Sequence, residues 1–235
     1  MVPIALITLG RNRAWHDTRK LLETDLPHLD RCARAHYNYA NVLHSDYYSL
    51  PAGDQPAAQR AIVHHYRKTL SITDRLFKAY MDLGSAYMEF GQPDSALPVF
   101  EEAAERYPYL SVPHFQLGRY HMSAERYREA IPQFQRAIKN GRKNTNAYYH
   151  LAVCQVKEQD MAAAIQSLRE GLPHQPDFPD YYQLLVQLYA NRNDAQLARG
   201  IWQQGRSLFP DHQGLQTMAA LFEAPPVDTT DQQQN

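Results

Sequence analysis

Histidine is the residue type in this sequence whose number and spacing most invite a chemical role. The chain holds 11 histidines among 235 residues, and His64 and His65 are adjacent, with His44 nearby. Adjacent residues on a helix point about 100° apart, so His64 and His65 cannot easily bind one metal ion together. We therefore interpret these histidines as surface and packing residues, and we expect no metal site.

Carboxylates and cysteines give no stronger sign of chemistry. Glu101 and Glu102 fall on the polar face of a predicted helix, where solvated charges are the norm. Cys32 and Cys154 lie far apart and match no metal-binding or disulfide spacing. Phosphate-binding glycine motifs, the GxSxG motif and the HExxH motif are all absent from the sequence. We therefore expect no catalytic residues and no cofactor, and we predict that the protein is not an enzyme.

Charge and composition narrow the class of partner. Lysine and arginine total 24 against 25 aspartates and glutamates, so the formal net charge is -1. Nucleic-acid-binding domains normally carry a clear basic excess on one face, and this chain has none. With 44% hydrophobic and 21% charged residues, the composition is that of an ordinary folded, water-soluble protein. We expect a protein or peptide partner and no nucleic acid.

Similar residues recur along the chain at a fixed interval of 34, the separation of Gly84 from Gly118. Four such columns are Leu83, Leu117, Leu151 and Leu185; Ala96, Ala130, Ala164 and Ala198; Phe100, Phe134, Leu168 and Trp202; and Pro108, Pro176 and Pro210, with Arg142 as the exception. A fixed period of this length predicts stacked helix pairs in which small residues permit close approach and large ones fill the space between. The repeats are predicted to begin near residues 77, 111, 145 and 179.

The repeat resembles the tetratricopeptide (TPR) family. The residues that match the family signature are Tyr80, Leu83, Gly84, Tyr87, Ala96, Phe100, Ala103 and Pro108. The resemblance implies an all-α fold, a right-handed superhelical solenoid of antiparallel helix pairs. It also implies a non-catalytic scaffold for protein–protein interaction, which holds a peptide or protein segment in a concave groove.

The period predicts the domain organisation. The predicted segments are 1–32, an N-terminal segment and capping helix; 33–76, a degenerate repeat with a loop insertion; 77–110, 111–144, 145–178 and 179–212, four repeats; 213–222, a C-terminal capping helix; and 223–235, a disordered tail. The insertion covers residues 44–57, and its Pro and Gly residues predict an exposed loop.

The family resemblance implies which side chains face the concave groove, namely the second, fifth, ninth and twelfth positions of each repeat. Carried over to this sequence, the predicted partner-binding residues are Arg34, Tyr37, Asn41, Lys78, Met81, Ser85, Met88, Phe115, Arg119, Met122, Tyr149 and Val153. The centre of this row is apolar and rich in Met, which is typical of a contact surface. We expect it to bind an extended or helical apolar segment, with cations available for an acidic flank. The alternative is that the chain's own N-terminal segment or a neighbouring helix covers it.

Some members of the family grip the C-terminal carboxylate of a partner with a set of lysine, asparagine and arginine residues. Of those positions only Asn41 and Arg119 match here, because Tyr37 and Phe115 replace the lysines and Ser85 replaces the second asparagine. We therefore expect no capture of a chain terminus of that kind.

The N-terminal stretch has a further resemblance. Residues 11–17 read RNRAWHD, and with the following leucines and residues 34–43 they are similar to the junction in membrane-embedded TPR proteins of the transmembrane-and-TPR O-mannosyltransferase type. The resemblance implies an extracytoplasmic domain of a larger glycosyltransferase-like protein, tethered through residues upstream of Met1. The apolar residues 2–9 would then end a membrane helix, since alone they fall short of the ~20 residues that a span requires.

The sequence leaves two interpretations of location open. Arg11 and Arg13 follow the apolar stretch, and positive charge there favours the cytoplasmic side. A free-standing scaffold would be cytoplasmic, with residues 2–9 as a buried N-terminal segment, whereas a fragment of a larger protein would be extracytoplasmic and membrane-tethered. The identity of the partner and the oligomeric state are not predicted by the sequence.

Overall fold

The fold is all-α in the computed structural model, which describes residues 18–141 and 145–222. The helices of the described residues are α1 (Thr18–Asp25), α2 (Ala33–Asp46), α3 (Gln55–Ile72), α4 (Phe77–Glu89), α5 (Pro93–Arg106), α6 (Ser111–Ser123), α7 (Tyr127–Asn140), α8 (Thr145–Lys157), α9 (Met161–Gly171), α10 (Pro179–Asn191), α11 (Ala195–Leu208) and α12 (Gln213–Thr217). Short 3-10 turns follow α1, α2, α9 and α12.

The helices form antiparallel pairs within two compact units. Helices α4, α6, α8 and α10 begin at residues 77, 111, 145 and 179, the starts that the period predicts. The N-terminal unit ends at Tyr120, and the C-terminal unit begins at His121. Helix α2 packs on α3 and α4 on α5 in the first unit, while α8 packs on α9 and α10 on α11 in the second.

The residues that recur every 34 positions form the cores. In the N-terminal unit Leu83 and Phe100 are buried together with Tyr66 and Tyr80. In the C-terminal unit Leu168, Leu185 and Trp202 are buried with the paired tyrosines 181 and 182. All four alanines of the small-residue column, at 96, 130, 164 and 198, are fully buried. The packing roles that the sequence predicts for these columns are therefore confirmed.

A single turn geometry joins the two helices of each of the four repeats that begin at residues 77, 111, 145 and 179. The residues that end the first helix in a left-handed conformation are Gly91, Glu125, Gln159 and Asn193, with φ of 69°, 56°, 65° and 61°. The backbone N–H of the residue that follows each of them donates a hydrogen bond to the carbonyl five residues earlier, in the last turn of the helix. One example is the 2.8 Å bond from Asp160 N–H to the carbonyl of Gln155. This is a Schellman motif, repeated every 34 residues, and only Gly91 adopts its φ without steric cost.

The insertion in the degenerate repeat folds further than the sequence predicts. Helix α2 continues to Asp46, a 3-10 turn covers residues 47–49, and α3 begins at Gln55. Tyr47 is buried with its ring centroid 5.0 Å from that of Phe90, and Gln59 donates a 2.6 Å hydrogen bond to its hydroxyl. The prediction of a loop over residues 44–57 is wrong for residues 44–49 and 55–57, which are helical, and Tyr47 anchors the first of these segments to the core. Residues 51–54 form an exposed turn.

Short helices lie at both ends of the described residues. Helix α1 contacts α2, and α12 contacts both α10 and α11. Leu215 of α12 is fully buried, and its carbonyl accepts a 2.8 Å hydrogen bond from the Trp202 indole. The N-terminal resemblance over residues 11–17 and the predicted tail at 223–235 lie outside the described residues. Among the helices that are described, none combines the length and apolar character needed to cross a membrane.

Helices α4 and α5 approach so closely that Gly84 has no room for a side chain. A Cβ atom there would overlap the Phe100 ring, which is 1% exposed and cannot move into solvent. Gly200 in α11 is the opposite case, because no neighbouring atom lies within 4 Å of the place that a Cβ atom would take.

We expect Gly84→Ala to lower the free energy of unfolding by about 1–3 kcal/mol, the usual cost of overpacking a core. Gly200→Ala should raise it by up to about 1 kcal/mol through helix propensity alone. Urea unfolding of both variants measures the difference. A Gly84→Ala protein as stable as the unchanged chain would contradict this close packing of α4 on α5.

We expect Gln159→Gly to raise the free energy of unfolding by about 0.5–1 kcal/mol. Glycine removes the steric cost of the left-handed conformation, and this gain exceeds the loss that comes from the greater conformational freedom of glycine in the unfolded state. Gly91→Ala, at the equivalent position of the first full repeat, should destabilise the chain. Thermal unfolding of the two variants measures the change in melting temperature. Equal changes in the same direction would contradict the proposed strain at the left-handed residues.

Candidate functional site

The side chains predicted to line the groove belong to the first helix of each repeat. Nine of the twelve predicted residues lie in the N-terminal unit, on α2, α4 and α6. The other three, Met122, Tyr149 and Val153, lie in the C-terminal unit and are half-buried. The N-terminal unit therefore holds most of the candidate surface, and predicted residues line two depressions among its described residues.

The first depression, the α4–α6 pocket, has a volume of about 370 Å³. Its lining residues are Ser85, Met88, Glu89, Phe100, Gln116 and Arg119. Three of these, Ser85, Met88 and Arg119, are among the residues predicted from the sequence. The buried Phe100 ring lies at its floor, while the exposed Arg119 guanidinium donates a 3.3 Å hydrogen bond to the Gln116 side chain. An apolar floor with charged and amide groups around it suits one large side chain of a peptide.

The second depression, the α2–α4 pocket, has a volume of about 500 Å³ at the start of those two helices. Its lining residues are Ala33, Arg34, Tyr37, Asn38, Thr73, Arg75, Leu76 and Lys78. Arg34, Tyr37 and Lys78 are predicted groove residues, so the structure brings these three together. Arg34, Arg75 and Lys78 are all exposed, and the pocket is accordingly cationic.

Two of the predicted residues make hydrogen bonds within the unit. Tyr37 donates a 2.7 Å hydrogen bond to the Asp82 carboxylate and so links α2 to α4. Asn41 accepts a 2.7 Å hydrogen bond from the Tyr66 hydroxyl, which links α2 to α3. Burial raises the pKa of Tyr66 above its ordinary value, so its hydroxyl keeps its hydrogen at neutral pH. These bonds hold the groove helices in place and occupy polar atoms that a ligand could otherwise use.

His44 extends this hydrogen-bonded network to the edge of the α4–α6 pocket. Its Nε2 atom lies 3.0 Å from a carboxylate oxygen of Glu89, and its Nδ1 atom lies 3.4 Å from the Tyr66 hydroxyl. Glu89 is therefore positioned by a residue of the preceding repeat.

The apolar residues of the predicted groove are less exposed than the sequence suggests. Met81 is 8% exposed and belongs to the core of the N-terminal unit. Met88 and Phe115 are half-buried. The accessible surface of the groove in this unit is consequently more polar than a Met-rich centre implies.

Sequence reasoning missed several residues that line the two pockets. Glu89 and Gln116 are neighbours of predicted groove positions, and Thr73, Arg75 and Leu76 lie in the turn before α4. The family positions count only residues within the first helices, so they leave out this turn. The closely spaced cations Arg75 and Lys78 are the feature of the sequence that could have indicated this turn as part of the surface.

The packing of α2 on α3 includes a pair of stacked histidines. The Nδ1 atoms of His36 and His65 lie 2.9 Å apart, and His36 Nε2 lies 3.1 Å from the Asp30 carbonyl oxygen. A carbonyl only accepts, so His36 carries its hydrogen on Nε2, and His65 Nδ1–H donates to His36 Nδ1. The edge of the Tyr39 ring contacts His65 at 4.8 Å between centroids.

Burial, followed by the charges of His64 and His36, lowers the pKa of His65 to about 4. In the unfolded chain the pKa of a histidine is about 6.5. Between these values the unfolded state binds a proton that the folded state does not, so the free energy of unfolding falls as the pH falls through this window.

We expect stability to drop by about 1 kcal/mol between about pH 7.5 and about pH 5 on account of His65, with allowance for its partial exposure. His65→Gln should flatten the pH dependence of urea unfolding, whereas His28→Gln, at an exposed position, should not. Parallel pH profiles for the unchanged chain and His65→Gln would contradict this assignment.

Two observations concern metal binding and thiol chemistry in the described residues. Among residues 18–141 and 145–222, no group of three or more His, Cys, Asp or Glu side chains could hold a metal ion. Burial raises the pKa of the Cys154 thiol to about 12, so it is not a reactive thiolate at neutral pH.

Comparison with known proteins identifies the repeats. Two family models, both described as tetratricopeptide repeat, match residues 77–109 and 121–188. Anaphase-promoting complex subunit 3 of Schizosaccharomyces pombe is 26% identical over 133 residues, which are 57% of this chain and 20% of that protein. The chain thus spans about a fifth of the length of that relative. Tetratricopeptide repeats are confirmed in residues 77–109 and 121–188.

Solved structures show the same fold at low sequence identity. YrrB, described as a TPR protein with an unusual peptide-binding site, has a TM-score of 0.65 and 19% identity over 86% of this chain and 100% of its own. MamA has a TM-score of 0.60 and 20% identity over 68% of this chain and 96% of its own. The all-α solenoid fold class predicted from the sequence is confirmed.

Proposed function

We propose that this chain is a non-catalytic scaffold that binds a peptide or protein segment, because it contains tetratricopeptide repeats. The binding surface is the groove formed by α2, α4 and α6 of the N-terminal unit. Proteins built from these repeats generally act as scaffolds for protein interaction, and the coarse function follows from that. The location of the groove in this chain is the finer part of the proposal.

The α4–α6 pocket is the observation that carries the proposal. Ser85 and Met88 of α4 and Arg119 of α6 converge on one depression over a buried aromatic ring. Small pockets that take a single side chain supply specificity in peptide recognition, while the neighbouring surface contributes shape.

The relatives are consistent with a binding role. The description of YrrB includes a peptide-binding site, and the name of the Schizosaccharomyces pombe relative places it in a complex of several subunits. For this chain both observations support a polypeptide as the ligand, in agreement with the partner class that charge and composition predict.

We expect Ser85→Arg and Arg119→Glu to weaken peptide binding about tenfold or more, the first by filling the α4–α6 pocket and the second by reversing a charge at its edge. Peptides selected on the unchanged chain from a random display library provide the ligands, and fluorescence anisotropy measures their affinity.

Arg136→Glu is the matched control, since it makes the same charge reversal at an exposed residue of α7. Circular dichroism of each variant establishes that it is folded. Selected peptides whose affinity is unchanged by both groove substitutions would show that they bind elsewhere and would overturn the assignment of the groove.

A further inference from the structure

We infer that the α2–α4 pocket is a subsite for the carboxylate side chain of a partner segment that carries an acidic residue beside apolar ones. The inference rests on the proposed function and adds the chemistry of the ligand. It concerns Asp or Glu side chains within a polypeptide, bound by Arg34, Arg75 and Lys78.

The three cations of this pocket have no acidic partner among the described residues. The carboxylates closest to them along the chain, Asp30, Asp74 and Asp82, are already engaged, and Asp30 lies 3.1 Å from the Lys68 ammonium. Asp74 accepts a 2.6 Å hydrogen bond from Arg106, and Asp82 accepts one from Tyr37 at 2.7 Å. Three positive charges at one depression therefore stay without a counter-charge, and an anionic ligand would supply it.

Some other cations of the N-terminal unit are ion-paired. Lys68 lies 3.1 Å from the Asp30 carboxylate, and Arg19 lies 3.0 Å from that of Glu23. Single exposed cations such as Arg60 also lack an acidic partner among the described residues, but at the α2–α4 pocket three unpaired cations line one depression. The guanidinium groups of Arg34 and Arg75 can bind a carboxylate in bidentate fashion.

The next repeat supplies the apolar part of the recognition surface. Tyr109, Leu110 and Val112 occupy the repeat positions of Arg75, Leu76 and Lys78, since each lies 34 residues further on. Tyr109 is 87% exposed, and Leu110 and Val112 are each 40% exposed. The same turn is therefore cationic in one repeat and apolar in the next, which favours a segment with an acidic residue beside apolar ones.

The small size of the cationic patch favours a polypeptide ligand over a nucleic acid. Three cations neutralise few phosphates, and the chain as a whole carries a net charge of -1. Leu76 and Ala33 line the same pocket and suit the aliphatic part of an acidic side chain. A polypeptide carboxylate fits this mixed surface.

The test is a display library of short random peptides fused at their C-terminal ends, so that only side-chain carboxylates are offered. We expect peptides selected on the unchanged chain to be enriched in Asp or Glu beside apolar residues. Arg34→Gln/Arg75→Gln/Lys78→Gln should weaken their binding about tenfold or more, and the affinity for the unchanged chain should fall with added salt.

The matched control is Arg60→Gln/Lys139→Gln/Lys157→Gln, which removes three charges from exposed positions outside the pocket. It should leave binding unchanged. Peptides that lack acidic enrichment, bind the pocket variant normally and lose affinity with Ser85→Arg would overturn this inference and leave the proposed function standing. A library that yields no binder would overturn both.

Discussion

Close approach of helices at residues without bulky side chains is the constraint on which the rest of the structure depends. Gly84 lies against the Phe100 ring, and Gly171 and Gly205 lie against tyrosines of the neighbouring first helix. The latter two fall in the column that begins with Ala103 and Ala137, and a Cβ at either glycine would lie within 3.0 Å of a buried tyrosine. Each helix pair has little freedom to slide, because an added carbon at these glycines would strain the packing of the interior.

The turn inside each repeat is the second constraint, and it explains why the period is strict. Four consecutive repeats place a left-handed residue at the same position, and the two hydrogen bonds of each Schellman motif hold it there. Glu125, Gln159 and Asn193 accept the steric cost of that conformation. A one-residue change in the turn would break both bonds and rotate the second helix away from the first.

The sequence predicts buried columns better than it predicts the groove, and the reason is physical. Periodicity identifies which residues share a face of a helix, and burial of Leu83, Phe100 and Ala96 follows directly from that. It does not identify which polar groups meet across helices. The bonds of Tyr37 to Asp82 and of Tyr66 to Asn41 join residues 45 and 25 positions apart.

Exposure at the edges of the groove is equally hard to predict. Met81 occupies a groove position by count, yet its flexible side chain packs into the core, where it fills space between helices. Arg75 lies outside the helices from which the family positions are counted and still lines the α2–α4 pocket. The folded insertion near Tyr47 shows the same limit, because a tertiary contact with Phe90 outweighs local turn signals.

If the proposed groove binds a peptide, its internal hydrogen bonds determine how it discriminates between ligands. Tyr37, Asn41 and His44 are held by Asp82, Tyr66 and Glu89, so these helices have little left to order when a ligand binds. A surface arranged in advance loses less conformational entropy on binding. Under the proposed function, selectivity then depends on the groups that line the two pockets, and the three cations of the α2–α4 pocket are the charged cluster among them. A rigid groove with such a cluster is expected to select ligands by charge first and by side-chain shape second.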